Sequence, residues 1–381
     1  MIDLKLIAER LTQARNLQSL GMAEVSAGTG ISVEHLSLIE GGNTPPSGDE
    51  LLILANFYVR DFRDFIDPAR PEPFKETNIL YRRYGDAFTP EDRRAIQEFL
   101  FLCEVEATLK KELTHSYTEF HYQPRGSFYN AHGEDAAAEL RRLLGYGQRQ
   151  INLDIYDDFR KIGFHIFRRK LANTDISGLY IEHPIAGHCI LVNYEEDIYR
   201  QRFSVSHEAA HAIFDSSDAA SVSYKRSSSK YDHKDLKEVR ANRFASCYLM
   251  PPELLPHISQ WNATLAVDWA KKLKVSTEAL SYALLKAERV DEETAKIIRS
   301  VRVAMSDKVD PEAPEHLSER QLERRLELLQ RGLSDVYVGL CFEAHQCGLI
   351  SAGRLAEVLL ADHRQVREIS ELYGRAITRE L

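Results

Sequence analysis

The sequence predicts a mainly α-helical chain with one small β-sheet: a helical N-terminal bundle, a central α+β unit and a helical C-terminal region. Three observations lead there. Apolar residues at helical spacing, each run with its own cap, recur along the 381 residues. β-rich runs are confined to the stretch 164–193. The length exceeds one typical core, so two or three domains are expected. With 44% hydrophobic and 28% charged residues the chain reads as soluble and globular. No apolar run approaches the ~20 residues that cross a membrane. The opening MIDLKLIAERLTQ is amphipathic and lacks the apolar stretch of a signal peptide. A cytoplasmic chain without a membrane partner is therefore expected. Cys103, Cys189, Cys247, Cys341 and Cys347 are odd in number and form no CxxC pair, which argues against a disulfide framework or a cysteine zinc site.

The elements follow in order. Residues 4–66 read as short helices: LKLIAERLTQAR carries a helical stripe, and Gly28-Thr29-Gly30 breaks two short helices apart. Ser32 caps the next helix, Gly41-Gly42 ends it, and Ser47 or Asp49 caps another. That is a helix-turn-helix layout over 1–68. DPARPEPFKETN (67–78) holds three prolines and reads as a linker. A long helix follows, capped by Thr89 with Pro90 in its first turn, so 69–130 is a linker with a helical segment. In 131–290 two helices, ended by Gly145 and Gly163, precede FHIFRRK, a candidate strand. SGLYIEHPIAGHCILVN then reads as a hairpin turning at Pro184 to Gly187. The serine-rich SSDAASVSYKRSSSKYDHKD reads as a mobile loop, and LKEVRANRFASCYLM as a helix stopped by Pro251-Pro252. Residues 291–381 are expected to form a helical C-terminal domain, with Leu326, Leu328, Leu329, Leu333, Val336, Leu340 and Phe342 on a buried face.

The chemistry sits in RFSVSHEAAHAIFDSS. Residues four apart share a helix face, so His207 and His211 can both reach one zinc ion. Glu208 beside them is the candidate base, for zinc acidifies a water and the carboxylate takes its proton. A buried helix bearing two histidines and a glutamate needs a reason, since unpaired buried charge is costly. A catalytic zinc needs a third protein ligand, and Glu238 on the later helix is the candidate. Asn242, one turn on, is placed to orient a ligand histidine from behind. Tyr224 and His233 in the serine-rich loop are candidate donors to an oxyanion.

RFSVSHEAAHAIF followed by EVRANRFASCYLMPPELL resembles the ImmA/IrrE metallopeptidases over roughly 134–290. Ala210 stands where the family usually has glycine, and Cys247-Tyr248 where it has small or aliphatic residues. The resemblance implies a compact gluzincin-like fold, zinc on His207, His211 and Glu238, and Glu208 as base. It implies an endopeptidase that cleaves a repressor or antitoxin to control stress or mobile-element genes. In zincins an extended peptide pairs with the edge strand above the metal, and SGLYIEHP or GHCILVN is expected to supply that edge. The alternative is a regulator whose peptidase-like domain senses or docks a partner without turnover.

The first 60 or so residues resemble the Xre (lambda-repressor-like) family, in the rhythm S..HLS.IE.G...P....L..LA. Lys5, Arg10, Arg15, Ser32, His35 and Ser37 are its candidate DNA contacts. Residues 1–70 hold six Lys+Arg against ten Asp+Glu, net −4, and the chain carries −9, a poor balance for phosphate neutralisation. Docking of a protein, either the target or a second copy in a homodimer, is the competing reading.

Overall fold

In the computed structural model, which describes residues 3–70, 75–216, 220–224, 233–313 and 317–377, the chain opens with five helices. These are α1 (Leu4–Leu17), α2 (Met22–Thr29), α3 (Val33–Glu40), α4 (Gly48–Phe57) and α5 (Arg63–Ile66). Asp3 accepts from the backbone N–H of Lys5 and Leu6, Ser32 from that of His35 and Ser47 from that of Glu50, so each side chain satisfies donors a helix start leaves open. Gly30 ends α2 at φ +76°, a left-handed conformation that suits glycine. The apolar stripe of α1 meets Val25, Leu36, Ile39, Leu54 and Phe65 in a core of its own.

Next come α6 (Lys75–Tyr84), α7 (Pro90–Glu112), α8 (Tyr129–Leu143) and α9 (Ile155–Lys161). α6 begins inside the expected linker, because Leu80 finds a fully buried seat against the sheet. The sheet is built from β1 (His165–Arg169), β2 (Ile176–His183), β3 (Gly187–Asn193) and β4 (Ala220–Tyr224), with α10 (Ile198–Asp215) before β4 and α11 (His233–Leu249) after it. Helices α12 (Ala263–Leu273), α13 (Thr277–Lys286), α14 (Glu292–Arg299), α15 (Glu319–Leu329), α16 (Asp335–Gln346), α17 (Ala352–Val358) and α18 (His363–Tyr373) complete the chain. The fold is thus mainly α with a small four-stranded mixed sheet. No helix among the described residues is long and apolar enough to cross a membrane.

Strand order is β1-β3-β2-β4. β2 and β3 form the expected hairpin, with Leu179 opposite Leu191, while β1 runs parallel to β3 and pairs His165 with Cys189. Neither hairpin strand is therefore an edge, contrary to expectation. The outer positions go to β1 and to β4, which folds from the serine-rich stretch expected to be a loop. Ala220 and Val222 alternate inward there and bury against α6 and the helices behind the sheet, enough to order a strand whose composition argues otherwise.

Alternate residues of the sheet face two cores. Leu179, Ile181, Cys189 and Leu191 pack with α7, α16, α17 and α18. Tyr180, Ile190 and Val192 pack with α8 to α14. A sheet buried on both faces needs helices on both. α7, from the segment 69–130, and α15–α18, from 291–381, cover one face of the central sheet, and Ile298 of α14 belongs to the core on the other face. The expected leucine stripe spans two helices, broken at Gly332, and Val336 points outward.

Charge is buried at these seams. Glu106 of α7 meets His165 Nδ1 at 2.7 Å and Lys110 Nζ at 2.9 Å. Burial alone pushes its carboxyl up, but the contact with His165 and the charge of Lys110 outweigh that and bring it from 4.5 down to about 2. A depressed pKa means stability that is present above 4.5 and lost as pH falls towards 2. The stability gap between wild type and Glu106→Gln, followed by urea midpoints, should therefore close across that window; a gap independent of pH would show the pairing contributes nothing.

Candidate metal centre

α10 starts at Asp197, whose side chain accepts from the Tyr199 N–H. It is buried on almost every face, with Val205, Ala209, Ala210 and Ala212 fully enclosed. The small residues let it lie close between the sheet and α11. α11 is held from behind by α8, where Gly133 permits the contact: a Cβ there would fall 2.6 Å from the Arg240 carbonyl oxygen. The two helices bring their polar residues to one point.

His207, His211 and Glu238 each offer a ligand atom, and these atoms lie within 4.8 Å of one another. His207 Nε2 is 3.2 Å from Glu238 Oε2, His211 Nε2 is 3.3 Å from Glu238 Oε1, and the two Nε2 atoms are 3.1 Å apart. The far nitrogens face oxygen: His207 Nδ1 lies 3.1 Å from Asn242 Oδ1, and His211 Nδ1 3.4 Å from Asp215 Oδ2. Protonation of Nδ1, assigned from this network, leaves the Nε2 lone pairs aimed at the common point. Both histidines are buried, while Glu238 is the most open of the three. For His211 burial works against charge, but Asp215 and Glu238 more than offset it and hold the ring up at about 10 when no cation lies between them. A site that draws positive charge this strongly, with three convergent N and O donors, fits zinc. Among the described residues no fourth His, Cys, Asp or Glu joins the group.

Glu208 is fully buried beside the ligands. Ser221 Oγ of β4 donates to its Oε2 at 3.3 Å, and its Oε1 has no well-aligned hydrogen-bond partner among the described residues. Burial pushes the carboxyl above the ordinary range, and the neighbouring histidines together with the Ser223 hydroxyl offset only part of that. Gly178 of β2 makes the room: a Cβ there would sit 2.9 Å from the Leu191 carbonyl oxygen and 3.3 Å from Glu208 Cγ.

The structure thus gathers Glu208, His207, His211, Glu238 and Asn242. Tyr224 ends β4 opposite Ile176 and is exposed; the side chain of His233 lies outside the described residues. Sequence reasoning missed Asp215 and Ser221. An aspartate four residues after His211 was a readable signal, since that spacing returns to the same helix face; Ser221 became visible only with β4.

Most candidate DNA contacts are spent inside the N-terminal unit. Arg10 is buried and donates to the Asp64 and Asp67 carbonyls at 2.7 and 2.8 Å. Arg15 is paired with Glu40 at 2.8 Å. Ser32 caps α3, and His35 meets Glu50 at 2.9 Å. Lys5 and Ser37 stay exposed, Lys5 within 3.8 Å of Glu9.

No curated protein and no solved structure matches the chain. Residues 159–285, which contain the whole sheet, α10 and α11, match the family model described as the IrrE N-terminal-like domain, Peptidase_M78, and through that stretch the chain is similar to the ImmA/IrrE metallopeptidases.

Proposed function

We propose that the chain is a zinc endopeptidase, of the HExxH-plus-downstream-glutamate type, that cleaves a regulatory protein such as a repressor or antitoxin. The observation that carries this reading is the convergence of His207, His211 and Glu238 beside the fully buried carboxylate of Glu208. Zinc bound there supplies a Lewis acid for the scissile carbonyl and an acidified water. The chain's own residues do the rest. Glu208 accepts a proton on its carboxylate and later delivers it to the leaving amine. Asn242 holds His207 in the tautomer that binds metal. The burial of α10 keeps bulk water from the carboxylate.

The substrate is read as an extended strand. β4 pairs on one side with β2, has no second partner strand among the described residues, and places Ser221 on Glu208. A peptide added to that edge would run beside the site. For the N-terminal unit we favour protein docking over DNA. Its arginines are internally engaged, and α3 and α4 expose Val33, Leu38, Leu52 and Ile53 instead.

The test is elemental analysis of purified protein, beside His207→Ala and Glu238→Ala. About one zinc per chain is expected for the wild type and a large loss in each variant with the helical signal kept. A wild type that neither contains zinc nor takes it up would end the peptidase reading.

A further inference from the structure

Asp215 stands at the end of α10, one helical turn beyond His211 and on the same face. It is buried, and its two oxygens are divided between tasks. Oδ2 lies 3.4 Å from His211 Nδ1. Oδ1 receives Arg240 at 2.7 Å and Lys237 Nζ at 3.2 Å, both from α11, the helix that also carries Glu238. Arg240 is in turn fixed, its guanidinium carbon 4.4 Å from the Phe214 ring centre and 5.0 Å from that of Tyr129. The carboxylate cannot swing away from the histidine without leaving both cations. The other ligand histidine is backed differently, by the neutral amide of Asn242.

We propose that Asp215 is a positioning residue for the metal: it fixes the tautomer and ring angle of His211 and strengthens it as a donor. The inference rests on the zinc reading above. A carboxylate behind a ligand imidazole raises its basicity more than a neutral amide does, because it stabilises the positive charge that donation to a cation places on the ring. The two histidines are therefore unequal ligands, His211 the stronger and His207 the weaker. Arg240 and Lys237 anchor Asp215 and link the Glu238 helix to the same carboxylate.

The test uses the full chain. Zinc affinity is measured by competition with a chromogenic chelator, and the site geometry by the visible spectrum of the cobalt-loaded protein. Asp215→Asn should weaken zinc roughly 10-fold and Asp215→Ala roughly 10- to 100-fold, both with an altered cobalt spectrum. Arg240→Gln removes the tie between α10 and α11 but leaves the contact to His211. It should lower the melting temperature with a smaller change in zinc affinity than Asp215→Ala. Should Asp215→Ala fold poorly, Asp215→Asn, which keeps size and an acceptor oxygen, carries the comparison. Wild-type zinc affinity in the Asp215 variants would overturn the proposal, as would affinity falling in step with stability in all three variants with an unchanged cobalt spectrum. A wild type that takes no zinc would instead remove the reading on which it depends.

Discussion

Glu208→Gln should stop cleavage while leaving fold and zinc in place, with kcat reduced by roughly 10²- to 10⁴-fold, the usual worth of a positioned general base. The exchange is nearly isosteric and touches no ligand atom. Glutamine can still accept from Ser221 through its carbonyl oxygen, but an amide cannot take the proton. Stability should hold or rise, because a neutral amide is cheaper to bury than a fully enclosed carboxylate. The measurement is single-turnover cleavage of a candidate regulatory protein, beside zinc content and a melting curve. The inactive variant should also retain uncut substrate and so serve to capture it. Cleavage at the wild-type rate would remove Glu208 from the chemistry. If the regulatory effect on target genes survives Glu208→Gln, the chain works by docking and not by turnover.

The second large effect concerns stability. Arg168 of β1 is almost wholly buried and meets Asp310 at 2.8 Å and Glu312 at 2.9 Å. Its guanidinium lies over Tyr156 at 4.8 Å and Tyr194 at 5.4 Å. Arg160 shares Glu312 at 2.7 Å. Burial opposes every one of these charges, yet mutual attraction outweighs it: Arg168 is pushed up and Glu312 down from their ordinary values. Arg168→Ala leaves Asp310 and Glu312 facing a cavity with half their countercharge gone. A loss of about 3–5 kcal/mol is expected, as for other broken buried pairs, read as a lower urea midpoint. Removing Arg168 together with Asp310, as in Arg168→Met with Asp310→Asn, should cost less than the single change, since Glu312 keeps Arg160 and no unpaired anion remains at position 310. A single variant as stable as wild type would mean that water reaches this seam and screens it.

How much of this was legible beforehand depends on distance along the chain. His207 and His211 share a face because a helix repeats every 3.6 residues, and that is written locally. Glu238 and Asn242 could be proposed because their own spacing is helical and a zinc needs a third ligand. The hairpin showed itself through alternation, with Gly187 in the left-handed conformation at its turn. What could not be read was partnership at long range. Arg10 and Arg15 look like free cations until Asp64, Asp67 and Glu40 come round to meet them. DPEAPEH looks like a boundary because it is polar and proline-rich, yet Asp310 and Glu312 within it enter the buried network on β1 and α9. β4 was hidden because serine says little of strand; two inward residues and a neighbouring strand decided it. The second cover of the sheet, α7 with α15–α18, follows from a need the strands have, and periodicity does not say which helices meet it.

The separation of 142 residues between Arg168 and Asp310 also bears on synthesis. When β1 leaves the ribosome its arginine has no carboxylate from that segment, nor has Arg160. At ~5–20 residues per second the missing acids arrive roughly 7–30 s later. During that interval the HExxH helix is already made, but the sheet it rests on carries cations that resist burial. A chain interrupted before residue 310 would retain every residue of the metal site and lack the counterions of its scaffold. Under the peptidase reading, a competent scaffold therefore waits for residues 310–312 to be made.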